Sequence, residues 1–321
     1  MHTTRFPCKA AIVSGLALTL AGFGLAAGPA QAAPAPVPAL VSPVWLNAHL
    51  HAPGQVIVEV YATDSQQDDY DAGHIPGAVF TSFFDDGWFA TVDGVRGMLP
   101  PPAKIAKVIG GLGIGNDTRV ILVPAGAKTS DFSGVARIFW TLRMEGQKNV
   151  SILNGGDVAW FAAPKAAVAK GDVNPKAAAF VPHPTMAYDV TLAQVKQALS
   201  THVYQLVDAR APAQFSGKVK DGVDARAGTL PGARNLPFSA VLTKDGEGVL
   251  PMPELQAAVK QAGIAPGKPT ITFCNTGHLG STAWFVLREV FANPKVRLYD
   301  GSMTEWSAHR DLPMVNGKSA F

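Results

Sequence analysis

The sequence predicts an α/β protein of two tandem domains, each a parallel sheet flanked by helices on both faces. Two observations carry this expectation. The chain repeats itself at a domain-sized interval, and inside each repeat short apolar runs alternate with helical patterns. In the repeat, "VIVEVYATDSQQDDYDAGHIPGAVF" (56–80) answers to "YQLVDARAPAQFSG" (204–217) followed by "AGTLPGARNL" (227–236). "MLPPPAKIAKVIGGLGIGNDTRVILVP" (98–124) answers to "VLPMPELQAAVKQAGIAPGKPTITFC" (249–274), and "LNGGDVAW" (153–160) to "YDGSMTEW" (299–306). The offset is 151 residues from Leu99 to Leu250 and 146 from Trp160 to Trp306, too long for a solenoid.

The second copy shows the element order best. Thr191 and Gln194 form a capping box that opens the amphipathic run "TLAQVKQALS". "VYQLVD" is a buried strand, "PELQAAVKQAG" a helix stopped by glycine, and "PTITF" a second buried strand. "STAWFVLREV", starting near Gly280, is a helix, and "VRLYD" a last strand. Strands that are apolar throughout belong to parallel sheets covered on both faces. Between the copies, "APKAAVAKGDVNPKAAAFVPHP" (163–184) has the Ala, Lys and Pro content of a linker. The domains are accordingly placed at 41–162 and 185–314.

Ahead of them, Arg5 and Lys9 flank the apolar run "AAIVSGLALTLAGFGLAAG", and "AQA" at 30–32 offers a signal peptidase site. A transmembrane helix is the competing reading; the glycines and small residues favour a signal peptide over 1–32, cleaved after Ala32. The protein is then periplasmic or otherwise exported, with no membrane span after cleavage. The full chain carries a formal charge of +3, and loss of Arg5 and Lys9 brings it closer to neutral, a balance that gives no sign of a nucleic-acid partner. The sequence calls for no cofactor. His49 and His51 lack partners for a metal and fit a polar helix end. "DDYD" (68–71) lacks calcium-loop register and reads as a solvated face, and "GGLGIGN" (110–116) is a helix stop, not a nucleotide loop. Nothing in the sequence sets an oligomeric state.

The chain has two cysteines, and Cys8 leaves with the signal. Cys274 then stands alone in an oxidising compartment, without an intramolecular disulfide partner. It sits at the carboxyl end of "PTITF", where parallel α/β sheets bind ligands. The amides of Asn275, Thr276, Gly277, His278 and Leu279, with the helix that begins near Gly280, form an anion-binding turn. Both effects are expected to draw the thiol's pKa down from ~8.5 toward neutrality. A buried inert cysteine is the plainer alternative. A phosphatase loop would need an arginine six residues on to clamp phosphate; Gly280 stands there, and that reading fails.

The sequence resembles the tandem-domain rhodanese sulfurtransferases over about residues 41–313. "VDAR" (207–210), "TLPGARNLP" (229–237), "FCNTGH" (273–278), "YDGSMTEW" (299–306) and, in the first copy, "AGHIPGA" (72–78) carry the likeness. The resemblance implies a persulfide-forming cysteine in the second domain only, with Pro124 at the equivalent place in a structural first domain. It implies a small-molecule sulfur donor and a thiophilic acceptor, cyanide or a thiol. It further implies that Cys274 is catalytic and that Arg210, Asn275, Thr276, Gly277, His278, Leu279 and Gly280 bind substrate. Arg210 is then the family's substrate arginine, with an ordinary ion pair to Asp208 or a neighbour as the alternative, and Arg226 could reach the pocket. Family loops read C-R-K-G-x-T for thiosulfate and C-G-S-G-x-T for 3-mercaptopyruvate. Here "CNTGHL" carries no loop cations except through His278, which supplies charge or a proton, or merely caps the turn. Thiosulfate is the first expected donor and 3-mercaptopyruvate the second, with activity rising below about pH 6.5 if His278 is protonated. A sulfur carrier or interaction module with little turnover is the alternative.

Overall fold

The computed structural model describes residues 1–2, 37–125 and 130–321. The export signal, its cleavage site and Cys8 lie outside the described residues, as does part of the turn after Pro124. The first half runs β1 (Leu40–Val41), α1 (Pro43–Ala48), β2 (Gln55–Tyr61), α2 (Gln67–Ala72), β3 (Ala78–Ser82), β4 (Ala90–Val92), β5 (Val95–Met98), α3 (Pro102–Gly111), β6 (Arg119–Pro124), α4 (Asp131–Met144), β7 (Val150–Leu153) and α5 (Gly156–Ala162). Its sheet is parallel, in the order β1-β7-β6-β2-β3. The second half runs α6 (Leu192–Thr201), β8 (Gln205–Asp208), α7 (Pro212–Phe215), β9 (Arg234–Asn235), α8 (Met252–Gln261), β10 (Thr270–Phe273), α9 (His278–Phe285), β11 (Val296–Leu298) and α10 (Ser302–Ala308). Its parallel sheet has the order β11-β10-β8-β9. The α/β duplication and its flanking helices are as the sequence predicts.

The capping box of α6 forms, with Gln194 N donating to Thr191 Oγ1 and Thr191 N to Gln194 Oε1. Two local expectations need correction. The active-site helix starts at His278, two residues early, and after Phe285 widens into a π-turn over Val286–Val290. The "DDYD" segment is not wholly solvated: Asp68 and Asp69 are exposed, but Tyr70 is buried and its hydroxyl donates to Ala78 O at 2.6 Å. The antiparallel β4–β5 hairpin was not anticipated. Its signal was present, because Asp93 and Gly94 both take positive φ (50° and 81°), the conformation an Asp-Gly hairpin turn favours.

The halves share one core. Every residue of α4 except Arg143 is buried, as expected for a helix packed on all sides. Its Phe139 meets the Phe285 ring of α9 at 5.0 Å, and Phe132 meets the same ring at 5.7 Å. Ser133 and Thr282 hydroxyls hydrogen-bond at 2.8 Å within this contact. The segment 163–184 is laid along the first half and is partly ordered there. Ala178 N donates to Gly110 O, His183 N donates to Glu145 O, and Phe180 is buried in the shared core.

A shared α4–α9 core makes the halves one cooperative unit. Phe285→Ala should cost about 3–5 kcal/mol. Amide hydrogen exchange in increasing urea should show β6 and β10 losing protection together, at a lower midpoint in the variant. Loss of β10 alone would mean that the domains are energetically independent.

Candidate active site around Cys274

Cys274 follows β10 directly, at the carboxyl edge of the second sheet. The turn after it is held from beneath by the "DGS" segment that precedes α10. Ser302 Oγ accepts from Cys274 N at 3.1 Å and from Gly277 N at 3.0 Å, and donates to Tyr299 O at 2.8 Å. Met303 N and Thr304 N donate to the carbonyls of Cys274 and Asn275. Ser302 takes a left-handed φ of 49° to do this. Of the expected amides, that of Gly277 is thereby spent on the scaffold, while those of Thr276 and Gly280 are directed at the sulfur.

The thiol is 1% exposed. Burial pushes its pKa up; the Gly280 and Thr276 amides oppose that rise, Asp208 adds to it and Arg210 opposes it. This corrects the expectation of a lowered pKa, which counted the donors and not the desolvation of a thiolate in a closed site.

Arg210 lies beside the loop with all of its donors occupied. Nε and Nη2 grip the Asp208 carboxylate, Nη2 at 2.7 Å; Nη2 also donates to Gly228 O. Nη1 donates to Asp224 Oδ2 at 3.2 Å and to Asn275 Oδ1 at 3.4 Å. In this structure Arg210 is therefore the ion-pair partner, and its charge reaches the sulfur only through space. Asn275 is tied between Arg210 and Asp221. Arg226 does not reach the pocket; it closes the carboxyl end of α10 by donating to carbonyls of Ser307, Leu312, Trp306 and His309. Leu279 is half-buried, and Gly280 lets α9 pack against the Phe273 backbone, where a Cβ would come within 3.0 Å.

The first half contributes what local sequence reading missed. Arg137 of α4 is 1% exposed and pairs with Asp300 at 2.5 Å, while its Nη2 donates to Gly97 O at 3.1 Å. Gly277, at φ 75°, is pressed against both partners: a Cβ there would meet Arg137 Nη1 and Asp300 Oδ1. Gly97 sits equally close to Thr276, so the β4–β5 hairpin covers the loop. Leu99 N donates to Asp300 Oδ2 at 2.7 Å and fixes the hairpin's far end.

His278 faces the first half, its ring 4.5 Å from Phe83 and 5.8 Å from Phe84. Burial, with the Arg137 charge beside it, pushes its pKa down to about 3, against a backbone hydrogen bond with Ser130. It is neutral at physiological pH, so the expected rise in activity below pH 6.5 has no basis in this geometry. Between the halves opens a cavity of 190 Å³ lined by Phe83, Phe84, Phe89, Arg96, Gly97, Arg137, Val223, Thr276 and His278. No group of three or more His, Cys, Asp or Glu placed to hold a metal occurs among the described residues. No helix among them is long and apolar enough to cross a membrane.

The Rhodanese-like domain family matches this chain twice, at residues 42–163 and 191–309. A Synechococcus elongatus protein assigned as a thiosulfate sulfurtransferase is 31% identical, over 99% of this chain and 98% of its own length. The sulfur carrier protein TtuD of Thermus thermophilus is 30% identical, over 87% of this chain and 97% of its own. Among solved structures, SseA of Escherichia coli, described as a 3-mercaptopyruvate sulfotransferase with the rhodanese fold, superposes with a TM-score of 0.71 at 27% identity. That match covers 83% of this chain and 99% of SseA. The chain belongs to the rhodanese family, as a tandem-domain enzyme of the rhodanese sulfurtransferase type.

A raised thiol pKa and a neutral His278 define a pH profile. The thiolate fraction of Cys274 should increase with pH through and beyond ~8.5, the ordinary cysteine range. Single-turnover sulfur loading should therefore accelerate steadily from pH 6 to 9, with no acid limb. His278→Gln should leave the shape of the profile unchanged. A rate that climbs below pH 6.5, and loses that climb in the variant, would show that His278 is protonated in the working enzyme.

Proposed function

We propose that Cys274 carries sulfane sulfur between a small donor and a thiophilic acceptor. The Cys274 thiolate attacks the outer sulfur of the donor. The sulfur–sulfur bond of thiosulfate breaks, sulfite leaves with the electron pair, and Cys274 becomes a persulfide. Cyanide or a thiolate then attacks the terminal sulfur, departs as thiocyanate or as a new persulfide, and returns Cys274 as thiolate. Splitting the transfer into two displacements gives ping-pong kinetics. The Thr276 and Gly280 amides support this reading, since donors aimed at the sulfur stabilise its charge as it develops.

One observation carries the proposal: the lone described cysteine sits in a loop braced on three sides, by Ser302, by the Arg137–Asp300 pair and by Gly97. Thiosulfate is the first donor we assign and 3-mercaptopyruvate the second, in keeping with the names of the relatives. Asn275, Thr276, Gly277, His278, Leu279 and Gly280 shape the donor site through their backbone, and Arg210 acts by charge at a distance. The first domain, with Pro124 ending β6, is structural in the chemistry and forms one wall of the pocket. The charged and apolar N-terminal pattern supports export, with cleavage after Ala32.

The test is thiosulfate-dependent conversion of cyanide to thiocyanate, paired with intact mass after donor treatment. Wild type should turn over and gain the mass of one sulfur; Cys274→Ser should do neither, with activity reduced at least a thousandfold. Equal activity in the two proteins would remove the catalytic role. A stable gain of sulfur with no transfer to cyanide or to any thiol would favour the carrier reading instead, the role for which the Thermus relative is named.

A further inference from the structure

Two buried carboxyl groups share the Arg210 guanidinium, and they are served unequally. Asp208 grips Nε and Nη2 and is well satisfied, since Oδ1 also accepts from Arg210 N at 3.0 Å and Oδ2 from Thr229 Oγ1 at 2.7 Å. Asp224 lies on the segment 217–228 and accepts from Nη1 through Oδ2 at 3.2 Å. It is 3% exposed, and its Oδ1 has no hydrogen-bond partner among the described residues. An ionised carboxylate there buries an unpaired charged oxygen; the neutral acid costs far less.

The same Nη1 donates to Asn275 Oδ1 at 3.4 Å. Asn275 follows Cys274 directly, so this nitrogen is divided between Asp224 and the cysteine loop. A hydrogen bond to a carboxylate is roughly twice as strong as one between neutral groups. Ionised Asp224 therefore holds Nη1, and neutral Asp224 releases it to the loop. Charge acts in the same direction. Asp208 and Arg210 cancel, so an ionised Asp224 leaves a net negative charge beside the thiol and a neutral one leaves none.

Arg210 and Asp208 face Asp224 from the end of β8, and Asp221 and Lys220 from its own segment. On the α10 side the segment meets the neutral Ser307 hydroxyl, which accepts from Ala225 N at 2.8 Å, and Arg226 is turned to the carbonyls at the end of that helix. Burial pushes the Asp224 pKa up to about 7; Arg210 opposes the rise, Asp221 and Asp208 add to it, and Lys220 opposes it.

We propose that Asp224 is a positioning residue for the chemistry at Cys274: by exchanging a proton with water it switches Arg210 Nη1 between itself and the loop, and so sets how readily the sulfur becomes anionic. The neutral acid favours a thiolate or persulfide anion, and the ionised form favours the thiol. Its part in sulfur transfer rests on the sulfurtransferase reading above; its link to the thiol does not.

Asp224→Asn tests this, because the amide oxygen can still accept from Nη1 while the charge is gone. Thiolate absorbance, taken as the difference from Cys274→Ser at each pH, reads ionisation without any donor. The midpoint should fall by about one pH unit in Asp224→Asn, the scale of a nearby charge, and Asp224→Glu should keep the wild-type curve. Asp221→Asn removes a charge that does not touch Arg210, and should shift the midpoint less than about half as far. Single-turnover loading from thiosulfate at neutral pH should be about threefold faster in Asp224→Asn, a tenfold gain in thiolate being partly offset by its lower nucleophilicity. Below the thiol midpoint the wild-type loading rate should climb less than tenfold per pH unit around neutrality, as coupled acids require, and Asp224→Asn should restore about tenfold. A full tenfold climb in wild type, an unmoved midpoint in Asp224→Asn, or an equal shift in Asp221→Asn would overturn the proposal; if thiosulfate still loads Cys274, the sulfurtransferase reading stands. A lowered midpoint in a protein that no donor loads would keep the link between Asp224 and the thiol and remove the sulfurtransferase reading.

Discussion

The buried pair between Arg137 and Asp300 is the contact on which the arrangement of the cysteine loop turns. Its members come from different halves of the duplicated chain, and both are almost inaccessible to water. Asp300 begins the segment that presents Ser302 to the cysteine loop, and it also accepts the Leu99 amide at the end of the hairpin. Arg137 holds the hairpin through Gly97 and stacks on Trp140 of its own helix. Gly277 fits between them because it has no Cβ and can take a left-handed φ. Loop, hairpin and domain interface are thereby fixed by one charge pair. Such a pair adds little net stability over an apolar substitute, but leaving either charge unpartnered in the interior is costly.

The duplication allows the two strand ends to be compared residue by residue. The interface contact recurs in the first half, where Val249 N donates to Asn154 Oδ1 at 2.8 Å much as Leu99 N does to Asp300. The side chains around it differ. Glu59 pairs in register with Val123 as Asp208 pairs with Phe273, but the residue two further on is Tyr61, not Arg210. Burial, with Asp157 adding to it, pushes Glu59 up to about 8. Glu247 enters from the second half and is likewise pushed up by burial and by Asp157. The carboxyl groups there are thereby driven toward their neutral form, and Pro124 ends the strand where the second half has Cys274. In the second half Arg210 and Arg137 stand beside the cysteine loop, each as one member of a buried ion pair.

What was legible in the sequence was local or repeated. Cys274 is legible because it lies at a strand's end and because the expected signal would take the other cysteine with it. The duplication gave Pro124 as its counterpart, and Thr191 with Gln194 announced the start of α6. Arg137 is not legible in the sequence because its partner Asp300 lies well over a hundred residues away, and nothing near it in the chain marks that partner. His278 was misread for a related reason: a histidine next to a cysteine looks titratable until the Phe83 and Phe84 rings and the Arg137 charge are brought against it. The thiol's pKa was misjudged because amide donors can be counted along a loop, whereas desolvation depends on what closes over it.

A double-mutant cycle on stability tests the central claim most directly, with Asp300→Asn, Arg137→Met and the pair combined, each unfolded in urea. If the buried pair is what locks the halves together, Asp300→Asn should cost about 3–5 kcal/mol by stranding the arginine. The combined variant should then be more stable than the sum of the single losses by about 2 kcal/mol, within the range for residues in contact. Additive losses of under about 1 kcal/mol each would contradict the account, since the two residues would then be neither coupled nor needed to hold the loop.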